Sequence, residues 1–383
     1  MKKLKRKIFN SKFFKSGRGE HAPDKFLIVI IALLVFSGLV MLSSASSVVG
    51  YKAFGDSYHF FNHQFLVILL GIGVFYFFSR LSYSFWKKYA IFFLLFSCLF
   101  LLLVFVPGLG ANYGKAHSWI DIFGFSLQPS EFVKVFFLIY LAAWVERRGE
   151  DLKTFSQGLG PFILILMVIA FLMILQPDVG TLSIVVFSSL AVYFLGGGKI
   201  SHLLMVCLIG MVVLFGILEI KPYIKDRFAC VVNPQLDVKD ECYQVNQSLL
   251  AVGSGGLWGR GLGQSRQKYM YLPEVISDSI FSIIAEEVGF IFSGLLIILY
   301  LLLFWRGSLI AKHAPDKFGR LLALGIVFWL AIQSFLNIGG MINLIPMTGV
   351  PLPLVSYGGS AVLASLLALG ILVNISKYIK QTK

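Results

Sequence analysis

The chain has 383 residues, of which 57% are hydrophobic and only 14% are charged. Soluble domains carry about 25% charged residues, so the composition excludes a water-soluble globular protein. Its continuous apolar runs are long enough to cross a bilayer, which takes roughly 17–25 residues each. Because backbone groups in lipid must be hydrogen-bonded within their own segment, these runs predict α-helices and not the alternating strands of a membrane barrel. We therefore expect an all-α, polytopic membrane protein.

The net charge of +14 is concentrated near the N-terminus, where nine of the 33 basic residues fall within the first 25 positions. Such an arm is typical of a cytoplasmic segment that lies close to anionic lipid headgroups, and it does not indicate nucleic-acid binding. The apolar run that follows is about 23 residues long and is not ended by a clear small-residue cleavage site. We expect this first span to be a permanent anchor and not a cleaved signal peptide.

About ten transmembrane spans can be placed along the chain. With the N-terminus inside, 23 Lys and Arg residues lie on the inner side and nine on the outer side. The positive-inside rule therefore predicts that both termini are cytoplasmic. The spans run over 26–48, 60–79, 89–106, 130–145, 161–175, 180–196, 201–220, 280–304, 320–341 and 355–376. The expected parts are a basic arm (1–25), a ten-span domain (26–376) with a moderate outer loop (107–127) and a large one (221–279), and a cytoplasmic tail (377–383).

The four cysteines fall into two groups. Cys98 and Cys207 lie within apolar spans, where a thiol acts as a small hydrophobic group. Cys230 and Cys242 share the large outer loop, and an oxidising compartment would allow them to form a disulfide. Two separate thiols are the alternative. Neither outer cysteine has a Cys or His at metal-ligand spacing, so the pattern predicts no metal site.

Charged side chains at membrane depth are costly and therefore mark candidate functional positions. Glu131 and Lys134 are three residues apart at the start of the fourth span, so they share a helix face and can also form a purely structural ion pair. Glu286 and Glu287 are adjacent in the eighth span and diverge by about 100° on a helix. We expect one to face a polar cavity and the other a polar group on a neighbouring helix, in a catalytic or a structural role.

The large outer loop carries most of the polar chemistry. Residues 253–269 contain six glycines together with Arg260, Arg266 and Lys268, a pattern that can hold an anion such as phosphate but is also common in flexible loops. Glu274 and Asp278 follow, and Asp278 stands at the outer mouth of the eighth span. From the residues alone, a helix N-cap is a better explanation of Asp278 than catalysis.

The stretch 337–360 is apolar but rich in proline and glycine, so it cannot be a continuous helix. Lipid would not tolerate its unpaired backbone groups. The stretch is therefore predicted to be buried in protein or to line a cavity.

These features together resemble the SEDS family (shape, elongation, division and sporulation), whose members FtsW, RodA and SpoVE polymerise peptidoglycan. The resemblance covers nearly the whole chain after the basic arm, and residues 263–268 are more similar to the division and sporulation branch. The chain departs from the family pattern in two places: Ser277 and Ser279 flank Asp278 where Thr and Phe are usual, and an Arg is missing before Trp119. The motifs are Gln128-Pro129-Ser130-Glu131 with Lys134, Gln176-Pro177-Asp178 with Gly180-Thr181, Pro273-Glu274 with Asp278, Pro346-Met347-Thr348-Gly349, and Ser356-Tyr357-Gly358-Gly359-Ser360.

The resemblance implies a glycosyltransferase that acts on lipid II at the outer face of the cytoplasmic membrane during cell division. It reverses the preference at Asp278, which becomes the expected general base. The cofactor stays open, with a divalent cation such as Mg²⁺ as one possibility, and segment 337–360 would help to form a groove for the polyprenyl tail. The expected substrate-binding residues are Glu131, Lys134, Arg260, Arg266, Lys268, Glu274, Ser356, Gly358, Gly359 and Ser360.

Two alternatives belong to other functional classes. A lipid II flippase would use the charged groups within the bundle as a polar path, although the densest polar cluster lies at the outer face and not at mid-membrane. A non-catalytic activator of a transpeptidase would have no need for Asp278. The expected partners are a class B penicillin-binding protein and other divisome membrane proteins, with no nucleic acid.

Overall fold

The computed structural model describes residues 21–113, 116–122, 125–220, 222–237, 240 and 242–379. Most of the predicted basic arm and part of the tail therefore lie outside the described residues. Apart from short 3₁₀ and π turns, the regular structure of the described residues consists of α-helices and one small sheet. The helices are α1 (Lys25–Ala45), α2 (Ser47–Phe54), α3 (His59–Arg80), α4 (Tyr83–Lys88), α5 (Ala90–Leu102), α6 (Pro129–Arg148), α7 (Gly160–Leu175), α8 (Val179–Leu195), α9 (Ile200–Ile220), α10 (Pro222–Val232), α11 (Tyr243–Ser254), α12 (Ile280–Lys312), α13 (Lys317–Met341) and α14 (Gly359–Ser376).

Ten of these helices coincide with the ten predicted spans: α1, α3, α5 to α9 and α12 to α14. Among the described residues, six helices are long and apolar enough to cross a membrane, and shorter apolar helices lie at Ala90–Phe105, Val179–Leu195 and Ile200–Val213. Helix α6 is more polar than these helices, because it carries Glu131 and Lys134. Both charged side chains are buried among the neighbouring helices. The prediction of an all-α, polytopic membrane protein is confirmed.

The centre of the bundle is formed by α14, which is buried along almost its whole length and packs against α3 and α6. A Cβ atom at Gly370 would lie 2.8 Å from the carbonyl oxygen of Phe75, so glycine permits the close approach of α14 to α3. The outer helices instead expose large apolar side chains such as Phe36, Phe92 and Phe171. These exposed faces are suited to contact with lipid.

Aspartates begin three of the helices as N-cap residues. The side chains of Asp24, Asp178 and Asp316 accept hydrogen bonds from backbone N–H groups in the first turns of α1, α8 and α13. Each bond satisfies a donor that a helix start would otherwise leave without a partner.

The predicted outer loop 107–127 contains a small antiparallel sheet, which the sequence analysis did not predict. Its strands are β1 (Gly110–Tyr113), β2 (Ala116–Ile122) and β3 (Phe125–Leu127), with β2 in the centre. Ile120 pairs with Gly110 on one side and with Leu127 on the other. In β2 the buried Ser118 and Ile120 alternate with the more exposed Trp119 and Asp121, as successive side chains of a strand do. The sequence does not reveal this alternation, because the buried Ser118 is polar and the more exposed Trp119 is apolar.

The large outer loop also contains regular structure, the helices α10 and α11. A disulfide joins Cys230 near the end of α10 to Cys242, immediately before α11. The disulfide prediction is therefore confirmed, and the alternative of two separate thiols is wrong. The amide of Asn343 donates to the carbonyl oxygens of Cys230 and Val231, at 3.4 and 3.3 Å, and so ties α10 to the segment that follows α13.

Candidate active site

The candidate site is built around the irregular segment 342–358, which connects α13 to α14. Its apolar side chains from Met347 to Val355 are largely buried, with Val350 3% and Leu352 1% exposed, whereas Ile342 and Leu344 at its start are exposed. Side chains of the surrounding helices supply the hydrogen bonds that a helix would have made internally. These are Gln333 Nε2 to Pro351 O (2.8 Å), Asn337 Nδ2 to Val350 O (2.9 Å), Gln64 Nε2 to Ser356 O (3.3 Å) and Tyr300 OH to Pro353 O. The prediction that this broken stretch is buried in protein is confirmed.

Asp278 lies where this segment meets the start of α12. A Cβ atom built at Gly349 would lie 3.7 Å from Asp278 Oδ2, so the segment passes directly beside the carboxylate. Asn337 Nδ2 donates to the carbonyl oxygen of Asp278 at 2.7 Å and fixes its backbone. The N-cap residue of α12 is Ser279, and the Asp278 carboxylate accepts a 3.2 Å bond from Ser277 Oγ and does not cap the helix. The helix-cap explanation of Asp278 is therefore wrong.

The surroundings of Asp278 favour its protonated form more than water would. Burial raises the pKa of Asp278 to about 6, and the neighbouring Glu274 carboxylate adds to the rise. The hydrogen bond from Ser277 and the positive charge of Arg227 act in the opposite direction and lower this pKa. A carboxylate with a pKa close to neutrality is well matched to accepting a proton from a sugar hydroxyl and later releasing it.

Glu274 is exposed and shares Ser277 with Asp278. Ser277 Oγ donates to Glu274 Oε2 at 2.8 Å, so one hydroxyl contacts both carboxylates. Mg²⁺ is commonly held by one or two carboxylates together with substrate phosphates. As the exposed carboxylate beside Asp278, Glu274 has the chemistry of such a ligand. Among the described residues, no group of three or more His, Cys, Asp or Glu side chains is arranged to bind a metal by itself.

Glu286 and Glu287 anchor the glycine-rich segment 255–268 to α12. Glu286 accepts bonds from the Ser265 hydroxyl (2.6 Å) and from the backbone N–H of Arg266 (3.0 Å). Glu287 accepts from Lys268 Nζ (3.1 Å) and, on the neighbouring helix α1, from the Ser44 hydroxyl. The expectation that one glutamate meets a neighbouring helix is confirmed, whereas the expected polar cavity around the other is wrong.

Both glutamates reach the same segment because α12 is interrupted close to them. Gly289 has φ 75° and ψ −176°, outside the helical region, and the glycine-rich segment packs into the break. A Cβ atom at Gly289 would lie 2.2 Å from the backbone nitrogen of Gly259. The segment therefore comes close enough to contact both side chains, although they diverge on the helix.

The three cations predicted for this segment have different surroundings. Lys268 is 3% exposed, and its ammonium group has three acceptors: Ser44 Oγ, Gly263 O and Glu287 Oε1. This set matches its three N–H donors. Arg260 and Arg266 are exposed, although Arg260 Nε also lies 3.8 Å from Glu286 Oε1. The two arginines are therefore better placed than Lys268 to receive an anion.

Glu131 and Lys134 form a buried ion pair inside the bundle, with Lys134 Nζ 2.9 Å from Glu131 Oε1. The same ammonium donates to Gln333 Oε1 at 2.8 Å and lies 4.9 Å from the centre of the Trp329 ring. Gln333 in turn holds Pro351 of segment 342–358. The pair is thus structural in its contacts, and its predicted role in substrate binding stays a prediction.

The 356–360 motif also makes structural contacts. Ser356 Oγ accepts from the backbone N–H of Leu352, and Ser360 Oγ accepts from that of Gln128, at 2.8 and 2.9 Å. The backbone N–H of Gly358 donates to Gln64 Oε1, and Gly359 lies beside α3. These bonds fix the start of α14. Substrate binding by this motif stays a prediction.

Several residues of the site were missed because their partners are far away in the sequence. Gln64, Asn337 and Arg227 are single polar residues without a local motif, yet each bonds to segment 342–358 or to Asp278. Asp178 was identified only as part of the Gln176-Pro177-Asp178 motif, without an assigned role. It accepts bonds from Gln128 Nε2 and the Ser130 hydroxyl at 3.2 and 2.7 Å, and so joins α6 to α8.

Comparison with known proteins decides the family. The sequence profile of FTSW_RODA_SPOVE, described as cell cycle proteins, matches residues 24–381. The chain belongs to this family. It is 39% identical to stage V sporulation protein E of Bacillus subtilis over 93% of this chain and 98% of that protein. It is 38% identical to the probable peptidoglycan glycosyltransferase FtsW of Geobacter sulfurreducens, over 92% and 95% of the two chains.

Solved structures of FtsW/RodA/SpoVE-like proteins share the fold. One chain of a peptidoglycan synthase complex, described as coordinating polymerization and crosslinking, superposes with a TM-score of 0.77 at 26% identity, over 93% of this chain and 98% of that one. The rod shape determining protein RodA of Thermus thermophilus gives a TM-score of 0.69 at 27% identity, over 94% and 99%. The SEDS resemblance is confirmed, and the chain is a multi-pass membrane protein.

Proposed function

We propose that this chain is a peptidoglycan glycosyltransferase that polymerises lipid II into glycan strands at the outer face of the cytoplasmic membrane, in cell division or sporulation. The observation that carries the proposal is Asp278, a carboxylate with a pKa near 6 that does not cap α12 and lies against Gly349. The named activity of the Geobacter relative and the match to a peptidoglycan synthase complex support it.

In the proposed reaction, the 4-hydroxyl of the acceptor sugar attacks the anomeric carbon of the lipid-linked donor and inverts its configuration. A new glycosidic C–O bond forms as the bond from that carbon to undecaprenyl pyrophosphate breaks. Asp278 takes the proton of the attacking hydroxyl, which would otherwise be a poor nucleophile. Arg260 and Arg266 are the exposed cations that we assign to the negative charge of the departing pyrophosphate.

We assign the remaining polar residues to keeping the site in shape. Lys268 and the two adjacent glutamates hold the segment that carries the arginines, and the Glu131–Lys134 pair supports segment 342–358 through Gln333. A class B penicillin-binding protein is the proposed partner, because the structurally similar chain belongs to a complex that couples polymerization to crosslinking.

The direct test is polymerisation of labelled lipid II by the purified protein in detergent, with and without a class B penicillin-binding protein. We expect glycan chains longer than a single disaccharide. A flippase produces none, since detergent leaves no membrane to cross. A non-catalytic activator also produces none, since it forms no glycosidic bond. Absence of polymer in both preparations would refute the proposed activity.

The pH dependence of the rate should follow the ionisation of Asp278. A general base acts in its deprotonated form, so a raised pKa moves the acid loss of activity toward neutrality. With a pKa of about 6, we expect initial rates at pH 5 to be about tenfold lower than at pH 7. Glu274→Gln removes a negative charge that raises the pKa of Asp278, so the acid limb of this variant's pH–rate profile should shift to lower pH. Identical profiles for the two proteins would contradict the assignment.

The proposed orientation places both termini in the cytoplasm and residues 221–279 outside. Thiol labelling of single-cysteine variants in intact cells tests it at Lys312, which ends α12, and at Lys239, which lies outside the described residues. We expect an impermeant reagent to label Lys239→Cys and to leave Lys312→Cys unmodified until the cells are permeabilised. Labelling of Lys312→Cys in intact cells would show that this end of α12 lies outside and would refute the proposed topology.

A further inference from the structure

A cavity of about 450 Å³ lies between the two helices of the large outer loop, and the reaction described above does not use it. The disulfide between Cys230 and Cys242 holds α10 and α11 together at its edge. Its volume is within the range of small-molecule sites. The side chains that give it its chemical character belong to Arg227, Asp240, Tyr243, Gln244, Pro273 and Met347.

Two hydrogen bonds connect the cavity to Asp278. Gln244 Nε2 donates to Ser279 Oγ at 3.1 Å, and Ser279 is the residue after Asp278. Arg227 donates from Nη1 to the carbonyl oxygen of Met347 at 2.8 Å, two residues before the Gly349 that lies beside the carboxylate. The cavity is therefore linked by hydrogen bonds to the chain on both sides of the carboxylate, at Ser279 and at the segment that carries Gly349.

The lining indicates which kind of ligand fits. One guanidinium and one carboxylate, from Arg227 and Asp240, balance in charge, so the cavity does not favour a pyrophosphate, which would need several cations. Its polar groups are equally unsuited to a polyprenyl chain. A neutral, hydroxyl-rich molecule matches the lining, because Tyr243 offers a ring face, Gln244 offers an amide and Met347 offers an apolar wall.

We propose that this cavity binds the acceptor's N-acetylhexosamine, the sugar whose 4-hydroxyl gives its proton to Asp278. The ring of the sugar lies against Tyr243, its hydroxyls bond to Asp240 and Gln244, and its acetyl methyl group contacts Met347. The inference rests on the proposed function and extends it by naming the residues that select the acceptor. A sugar held at this place directs one hydroxyl toward the base.

The test measures sugar binding separately from catalysis. The probe is the lipid-free disaccharide of N-acetylglucosamine and N-acetylmuramic acid, titrated against purified full-length protein by saturation-transfer NMR. Loss of the aromatic ring in Tyr243→Ala should weaken binding about five- to tenfold and raise the KM for lipid II by a similar factor, with kcat nearly unchanged. Tyr269→Ala is the matched control, because Tyr269 is an exposed tyrosine of the same outer segment and does not line the cavity.

Asp240→Asn is the second variant and covers the case in which Tyr243→Ala does not fold. Asp240 is exposed, and asparagine has the same shape as aspartate, so this variant should fold. Weaker disaccharide binding in either variant, with Tyr269→Ala like the wild type, supports the site. Equal affinities in all folded variants, or polymerisation by a wild type that does not bind the disaccharide, overturns it. A wild type that binds the disaccharide in this way but does not polymerise lipid II leaves the sugar site standing and refutes the proposed activity.

Discussion

Asp278→Asn should abolish glycan polymerisation while the protein still folds and inserts into the membrane. Asparagine keeps the shape of the side chain but cannot accept the proton of the attacking hydroxyl, so we expect a loss of about 10²–10⁴-fold in rate. Folding should be little affected, because the bond from Asn337 goes to the backbone oxygen of Asp278 and survives the substitution. The measurement is chain growth from labelled lipid II, with thermal unfolding in detergent as the folding check.

Two further variants make this result specific. Asp278→Glu should recover little activity, because its extra methylene moves the carboxylate away from the hydroxyl that it must meet. Glu274→Gln should be less harmful, since Glu274 is exposed and contacts Asp278 only through Ser277. Near-normal chain growth by Asp278→Asn would show that Asp278 is not the general base. The structure has already excluded the helix cap as the alternative.

Gly289→Ala should strongly destabilise the protein. The φ and ψ of Gly289, 75° and −176°, fall in a region that is essentially restricted to glycine and costs other residues about 1–3 kcal/mol. The added methyl group would also overlap the backbone at Gly259 and Trp258, at 2.2 and 2.5 Å. We expect a thermal midpoint lower by several degrees or more, and loss of activity as the segment carrying Arg260 and Arg266 is displaced.

The matched control is Gly294→Ala, five residues further along α12. No atom outside its immediate surroundings lies within 4 Å of a Cβ at Gly294, and alanine favours helix more than glycine does. This variant should be neutral or slightly more stable. Equal midpoints for the two alanine variants, measured in the same detergent, would show that the break in α12 is not required for stability.

The membrane helices could be predicted from the sequence because most of them are long apolar runs. The Glu131–Lys134 contact followed from the three-residue spacing of the two residues on one helix. Asp278 could be proposed as the base only through the family resemblance. The residues alone favoured a cap, because a helix that began one residue earlier would have Asp278 as its N-cap. In the structure α12 begins at Ile280 and its N-cap is Ser279.

Other features depend on contacts that no local pattern reveals. Gln64 and Ser356 are 292 residues apart, so nothing near either residue indicates their bond. The surroundings of Glu286 were misjudged because a regular helix was assumed, whereas Gly289 breaks α12 and admits the glycine-rich segment. The positive φ of that glycine is imposed by the packed backbone of Gly259, which lies 30 residues earlier in the printed sequence.

The irregular segment 342–358 has a consequence for biosynthesis. Gln64, Gln333 and Asn337 give their hydrogen bonds to this segment, and all three are made by the ribosome before it. While the chain is growing, these amides lie within apolar helices and must be satisfied by water or by the translocon. Arrival of segment 342–358 removes that cost, because its carbonyl oxygens at Val350, Pro351 and Ser356 accept the three amides. The candidate site is thus completed only once segment 342–358 has been made, and a nascent chain that stops before this segment holds no assembled site.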